Sequence, residues 1–66
     1  MISFDPLWKT MAEKKVSKME LCKKTEISRS TLAKMAKNEK VALDVIERIC
    51  EVLDCQIQDV VSIKKS

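Results

Sequence analysis

A chain of 66 residues, 45% of them hydrophobic, can bury one small core, so a single domain over residues 1–66 is expected. The absence of Gly and Tyr and the single Pro favour helices, and no apolar run approaches the ~20 residues of a membrane-spanning helix. The short, acidic N-terminus does not have the pattern of a signal peptide, so a cytoplasmic protein is expected.

The net charge of +3 is unevenly distributed along the chain. Residues 9–40 carry ten Lys or Arg and four Glu, a balance of +6, whereas residues 41–61 carry one Arg and five Asp or Glu, a balance of −4. We expect two faces of opposite potential, the basic one attracting a polyanion. An ordinary solvated, lysine-rich surface is the alternative.

The first predicted elements are a short strand and a helix. Residues 2–5 alternate between apolar and polar, as a strand does. Asp5 is expected to cap the first helix, with Pro6 as its first residue, where the missing N–H has no cost. This helix is expected to run to about Lys15.

Residues 17–40 begin with a capped helix and a tight turn. Ser17 and Glu20 have the spacing of a capping box, which predicts the start of the second helix. This helix is expected to end near Thr25, and Ile27 is the apolar residue that docks the turn.

The third helix carries an outward polar face. Ser28 is its predicted N-cap, and the helix is expected from Arg29 to about Lys37. Two helices joined by so short a turn cross at a large angle, and the second one can then enter the major groove of DNA. The sequence therefore predicts a helix-turn-helix unit over residues 17–37.

The rest of the chain predicts one more long helix and two minor elements. Apolar residues at helical spacing predict a fourth helix over residues 43–53, and Asp54 is expected to end it in a left-handed conformation. Residues 56–60 can make a further helical turn. Residues 61–64 alternate like a second short strand.

The central residues resemble the helix-turn-helix of the phage repressor and Cro family, also called the XRE-type family. The family pattern is Leu-Ala-x-x-x-Gly-Ile-Ser-x-x-x-Ile/Leu, and residues 21–32 read LCKKTEISRSTL. Later residues and the segment PLWKTM extend the resemblance over most of the chain, to a compact bacterial and phage subgroup. It implies an all-α, five-helix, lambda-repressor-like domain, with short strands possible at both ends.

Two positions depart from the family pattern. The alanine is Cys22, which is only slightly larger, and the glycine of the turn is Glu26. A positive φ at Glu26 would cost about 1 kcal/mol for a residue with a side chain, so either this strain is borne or the turn differs slightly from the family's. Glu26 is also expected to place a carboxylate near the DNA-facing side.

The resemblance also implies a set of DNA contacts. The residues expected to face base edges are Arg29, Ser30 and Lys34. The residues expected to touch phosphates, including one at the start of the second helix, are Thr31, Lys37, Asn38, Lys40 and Lys18. Ser28 completes the predicted DNA-binding set.

Sequence-specific binding of double-stranded DNA by a transcriptional regulator, expected to be a repressor, is the leading interpretation. A homodimer is expected, because such regulators read palindromic half-sites; residues 2–5 and 60–64 would pair either across the two-fold axis or within one chain. The alternative is a protein-interaction module, such as an antitoxin-like or anti-regulatory partner with weak DNA binding. Glu26 and the small net charge favour that alternative.

Neither an enzyme nor a cofactor site is expected. The chain has no His, no glycine-rich phosphate loop and no nucleophile beside a base. Its three cysteines, Cys22, Cys50 and Cys55, form no CxxC motif, which argues against a metal site. They are expected to be reduced, buried and hydrophobic. A disulfide or redox sensor is the other interpretation, with Cys50 and Cys55 its plausible pair.

Overall fold

Helices form most of the structure, a computed structural model that describes residues 1–65. Over that range the chain has four α-helices, one 3₁₀ turn and two short strands. This architecture confirms a mostly helical domain. In chain order the elements are β1 (Ile2–Ser3), α1 (Asp5–Lys14), α2 (Lys18–Thr25), α3 (Arg29–Ala36), α4 (Leu43–Leu53), the 3₁₀ turn (Ile57–Asp59) and β2 (Ser62–Ile63).

The predicted fifth helix is only a 3₁₀ turn, so a count of five helices was wrong for the described residues. The turn closes with a bond of 3.0 Å from the Val60 N–H to the Ile57 carbonyl. The Val60 side chain is fully buried, and β2 begins two residues later. Burying Val60 and pairing β2 leave no residues for a longer helix.

The two terminal strands pair with each other within one chain. They run antiparallel, with Ile2 opposite Ile63 and Ser3 opposite Ser62. The Lys64 N–H extends the pairing by donating to the Met1 carbonyl at 2.7 Å. Because so short a ribbon is marginal alone, its stability depends on the core beneath it.

One hydrophobic cluster draws on all four helices and on the segments that join them. Phe4 is fully buried in it, although the sequence placed Phe4 only in a strand. Leu32 of α3 is half-buried at its edge. The buried members are Phe4, Leu7, Met11, Leu21, Ile27, Met35, Ile46, Ile49, Leu53 and Val60.

The start of α1 differs from its prediction. The helix begins at Asp5, the N-cap is Phe4, and no side chain caps the helix. The Asp5 carboxylate instead accepts a hydrogen bond of 2.8 Å from the Lys64 ammonium. Asp5 as the cap was therefore wrong, because a partner from the C-terminal segment takes its carboxylate.

Candidate nucleic-acid interface

The start of α2 is fixed by the predicted capping box. The Ser17 hydroxyl accepts from the Glu20 N–H at 3.1 Å, and a Glu20 carboxylate oxygen accepts from the Ser17 N–H at 3.3 Å. These two hydrogen bonds satisfy N–H groups at the start of α2, which have no partner within the helix. The prediction is confirmed, and α2 ends at Thr25 as expected.

The turn between α2 and α3 occupies residues 26–28. Glu26 ends α2 in the left-handed region, with φ 60° and ψ 22°, so the strain of a positive φ is borne at this position without a glycine. Ile27 is 8% exposed and packs in the core, which anchors the turn to the bundle. The geometry of the turn is therefore that of the predicted helix-turn-helix.

Hydroxyl groups cluster at the start of α3. The Ser28 hydroxyl accepts from the Thr31 N–H at 3.1 Å, which confirms Ser28 as the N-cap. It also shares hydrogen bonds of 2.9 Å with the hydroxyls of Ser30 and Thr31. Ser28 and Ser30 are exposed, and Thr31 is partly exposed. Each of these hydroxyls can therefore exchange its present partner for a base edge or a phosphate without leaving a buried polar atom unpaired.

Two faces of α3 lie beside each other outside the core. One face carries Arg29, Ala33 and Ala36, three and four residues apart, and borders a groove between α2 and α3. The next face carries Ser30, Lys34 and Lys37 at the same spacing, and all three are exposed. The residues expected to contact bases are thus divided between two adjacent faces, with Arg29 turned toward α2.

Lys18 borders the same groove from the α2 side. Its ammonium lies 5.0 Å from the centre of the Trp8 ring, close enough for a cation–π interaction. Trp8 in turn is half-buried against the core. The ring therefore positions the cation at the beginning of α2, a relation that no local sequence pattern indicated.

The cations of the predicted interface are not neutralised by neighbouring carboxylates. Within residues 1–65 the single ion pair is Lys64–Asp5, so no interface cation has a carboxylate oxygen within ion-pair distance. Each side chain is exposed. The five are Lys18, Arg29, Lys34, Lys37 and Lys40.

Asn38 has a structural partner as well as a predicted phosphate contact. Its side-chain oxygen accepts a hydrogen bond of 2.9 Å from the N–H of the buried Phe4, and its own backbone is left-handed with φ 57°. The side-chain amide NH₂ is the group left for a phosphate. The bond also joins the loop after α3 to the start of α1.

Glu26 lies beside α4. It borders a shallow depression with Lys24, Arg48 and Glu51, and it does not line the groove beside Arg29. The depression is thus lined by two cations and two carboxylates, and among the described residues Glu26 forms no ion pair. This position weakens the expectation that Glu26 places a carboxylate near the DNA-facing side.

Other kinds of site have little support in the described part of the chain. Residues 1–65 contain no group of three His, Cys, Asp or Glu side chains placed to hold a metal ion. None of the helices described there is long and apolar enough to cross a membrane. All three cysteines are free thiols and only partly buried, so full burial was wrong.

Two short helices joined by a tight turn with a buried residue, the second of them capped and polar on its outer faces, define this domain as a helix-turn-helix protein. The family model of the Cro/C1-type HTH DNA-binding domain matches residues 6–66, and the chain belongs to that family. A crystal structure of the transcriptional regulator VanUg, form II, is similar at 39% identity and a TM-score of 0.89, covering 92% of this chain and 81% of that one. Among curated proteins nothing matches.

Membership of this family makes the chain a DNA-binding regulatory domain. The resemblance to the phage repressor and Cro family is confirmed by the family model. The individual DNA contacts, the dimer and the direction of regulation stay predictions.

Proposed function

We propose that this chain is a transcriptional regulator that binds specific sequences of double-stranded DNA, with α3 in the major groove, and that it acts as a repressor. The observation that carries the proposal is the capped start of α3, where Arg29, Ser30 and Lys34 are exposed and have no carboxylate partner among the described residues. Repression needs only that the bound domain occupies its site.

The proposed contacts divide into two kinds. Arg29 and Lys34 suit the acceptor atoms of guanine in the major groove, and Ser30 can bond to several bases. Lys18 and Thr31, with Lys37, Asn38 and Lys40 at the far end of α3, hold the phosphates on either side. The Trp8 ring supports this role for Lys18, because it fixes the ammonium at the end of α2 that would face the backbone.

A selection of bound sequences from a random duplex pool, followed by affinity measurements on single variants, tests the proposal. Arg29→Ala is expected to weaken binding to the selected sequence by roughly 10- to 100-fold and to relax the preference at one base position. Lys9→Ala is the matched control, because Lys9 is exposed on α1 beside Glu13 and Asp59. An Arg29→Ala protein with unchanged affinity and preference would show that α3 does not contact the bases as proposed.

We also propose that two copies bind a palindromic site, since half-sites one helical turn apart require a two-fold arrangement. Because β1 and β2 pair within one chain, the proposed dimer does not rely on pairing these strands between the two copies. Sedimentation on a duplex with one half-site and on a duplex with two separates the cases. Binding of only one copy to the two-site duplex would exclude the dimer.

A protein-interaction module is the second candidate. The groove between α2 and α3 favours it, because this groove has a cavity volume of about 370 Å³ and Met19 on its rim is 60% exposed. A mobility shift with genomic fragments at low and at physiological salt distinguishes the candidates. No shift at low salt would favour the interaction module.

A further inference from the structure

The turn that ends α4 brings two cysteines together. Asp54 adopts the left-handed conformation with φ 52° and ψ 55°, and the Cys55 N–H then donates to the Cys50 carbonyl at 3.0 Å. A bond from the residue after a left-handed cap to the carbonyl five positions earlier belongs to the Schellman motif. A contact between the side chains of its first and last residues frequently accompanies this motif, and here both residues are cysteines.

The backbone bond also meets the distance requirement of a disulfide. With standard bond lengths, the 3.0 Å bond keeps the Cα atoms of Cys50 and Cys55 less than ~7 Å apart. Cysteines farther apart than ~7 Å cannot be bridged without moving the backbone. The thiols themselves are close enough for each to affect the pKa of the other.

Both thiols are accessible from outside. Each cysteine is only partly buried, and Cys50 borders a surface depression with Leu43 and Ile57, which are 75% and 51% exposed. Cys22 lies elsewhere, in the groove between α2 and α3. The pair is thus separate from the proposed DNA-binding surface.

We propose that Cys50 and Cys55 form a reversible intramolecular disulfide across the turn, by exchange with a low-molecular-weight disulfide such as oxidised glutathione. One protein thiol loses its proton and its sulfur attacks the glutathione disulfide, which forms a mixed disulfide and releases one glutathione thiolate. The second protein thiol loses its proton and attacks the protein sulfur of the mixed disulfide, which releases the other glutathione thiolate. Both thiolates take up the released protons, so the protein is oxidised by two electrons and glutathione disulfide is reduced to two thiols.

The surroundings make this exchange slow at neutral pH. Partial burial raises the pKa of both thiols, and the carboxylate of Asp59 raises both further. Lys14 in α1 lowers the pKa of Cys55 to a smaller extent. Asp44 and Glu47 border the same depression as Cys50. Because the thiolate is the attacking species, the rate is expected to rise as the pH increases through and above the ordinary cysteine range.

The test is oxidation of the folded full chain with oxidised glutathione at mildly alkaline pH, followed by digestion without reduction. Trypsin cuts after Arg48 and Lys64, so residues 49–64 are released with both cysteines in one peptide. This peptide is expected to be lighter by two hydrogen atoms, and cleavage after Glu51 inside the ring should leave its two parts joined. A glutathione adduct on either cysteine, a disulfide-linked dimer or an unoxidised peptide would each overturn the proposal.

Serine variants supply the matched controls. Cys50→Ser is expected to trap glutathione on Cys55, because no second thiol can release it, whereas Cys22→Ser should form the disulfide as the natural chain does. The fit of the disulfide to the folded turn is checked by melting. Oxidation is expected to raise Tm by several degrees, reversibly, since ring closure restricts the unfolded chain. A fall in Tm would contradict the fit.

Discussion

At the scale of single residues, the ends of the helices and the loop after α3 depend on left-handed conformations in a chain without glycine. Four residues have φ between 52° and 60°: Lys15, Glu26, Asn38 and Asp54. Each carries a steric cost that glycine avoids, on the order of 1 kcal/mol. The protein is therefore expected to be less stable than the same fold with glycine at these positions.

Replacing Glu26 by glycine is expected to stabilise the protein. The substitution Glu26→Gly relieves the left-handed strain, and urea unfolding should show a free energy of unfolding higher by about 1 kcal/mol. Glu26→Ala is the control, because it removes the same carboxylate and keeps the strain. If both variants gain equally, the carboxylate and not the backbone is the source of the cost.

Asn38 allows its roles in folding and in DNA binding to be separated. Asn38→Ala removes the acceptor for the buried Phe4 N–H and should lower the free energy of unfolding by about 1–3 kcal/mol. Asn38→Asp keeps the acceptor, so it should unfold nearly as the natural chain does in the same urea titration. The aspartate nevertheless adds a negative charge beside the proposed phosphate contact and should weaken DNA binding. An Asn38→Asp protein with unchanged DNA affinity would exclude Asn38 from the interface.

At the scale of elements, α2 and α3 owe their start points to serine caps. Ser17→Ala and Ser28→Ala are each expected to lower the free energy of unfolding by about 1 kcal/mol, because an N–H of the first turn then has no protein partner. Ser30→Ala is the control, since its hydroxyl bonds to another hydroxyl and to no backbone group in the first turn. Thermal melts of the three variants check this, and equal losses in all three would contradict the capping role.

The elements also show where local sequence patterns suffice. Both serine caps, the end of α2 and the left-handed Asp54 followed from residues within a few positions of each other. The Asp5 cap failed because Lys64, 59 residues away, takes its carboxylate. The role of Asn38 was missed for the same reason, since its partner Phe4 is 34 residues distant. The further helical turn predicted over residues 56–60 is present, as the 3₁₀ turn Ile57–Asp59.

The same limit applies to the candidate site. The family pattern identified the residues of α3, but it did not indicate that Arg29 shares a groove with Lys18. Nor did it indicate the contact between Lys18 and Trp8, because residues of different helices meet only in the folded chain.

At the scale of the whole molecule, the paired termini close the helical bundle. The N-terminal ammonium donates to the Lys64 carbonyl at 3.0 Å, and the Lys64 side chain reaches Asp5. Lys64 lowers the pKa of the Asp5 carboxyl, first by its hydrogen bond and then by its charge. That contribution to stability is present above the ordinary pKa of Asp and is lost as the pH falls through the lowered one. Because both groups are exposed, salt screens much of it.

The basic and the acidic parts of the chain lie on different helices of the folded molecule. The five cations of the proposed interface lie on α2, α3 and the loop after α3, whereas α4 exposes Asp44, Glu47 and Glu51 and one cation, Arg48. An approaching duplex is therefore attracted by one side and repelled by the other. This arrangement orients the domain before any base is contacted.

The salt dependence of the DNA-binding constant should report the number of phosphate contacts. Three exposed cations that each neutralise one phosphate, Lys18, Lys37 and Lys40, predict a slope of log K against log salt of about −2.7 for one domain, and about twice that for two copies on one site. Lys37→Ala should reduce the steepness by about 1 per domain on every sequence, because its proposed partner is a phosphate. Lys9→Ala, which removes the same charge from α1, should leave the slope unchanged. Equal changes in both variants would mean that net charge alone, and not a defined surface, attracts the DNA.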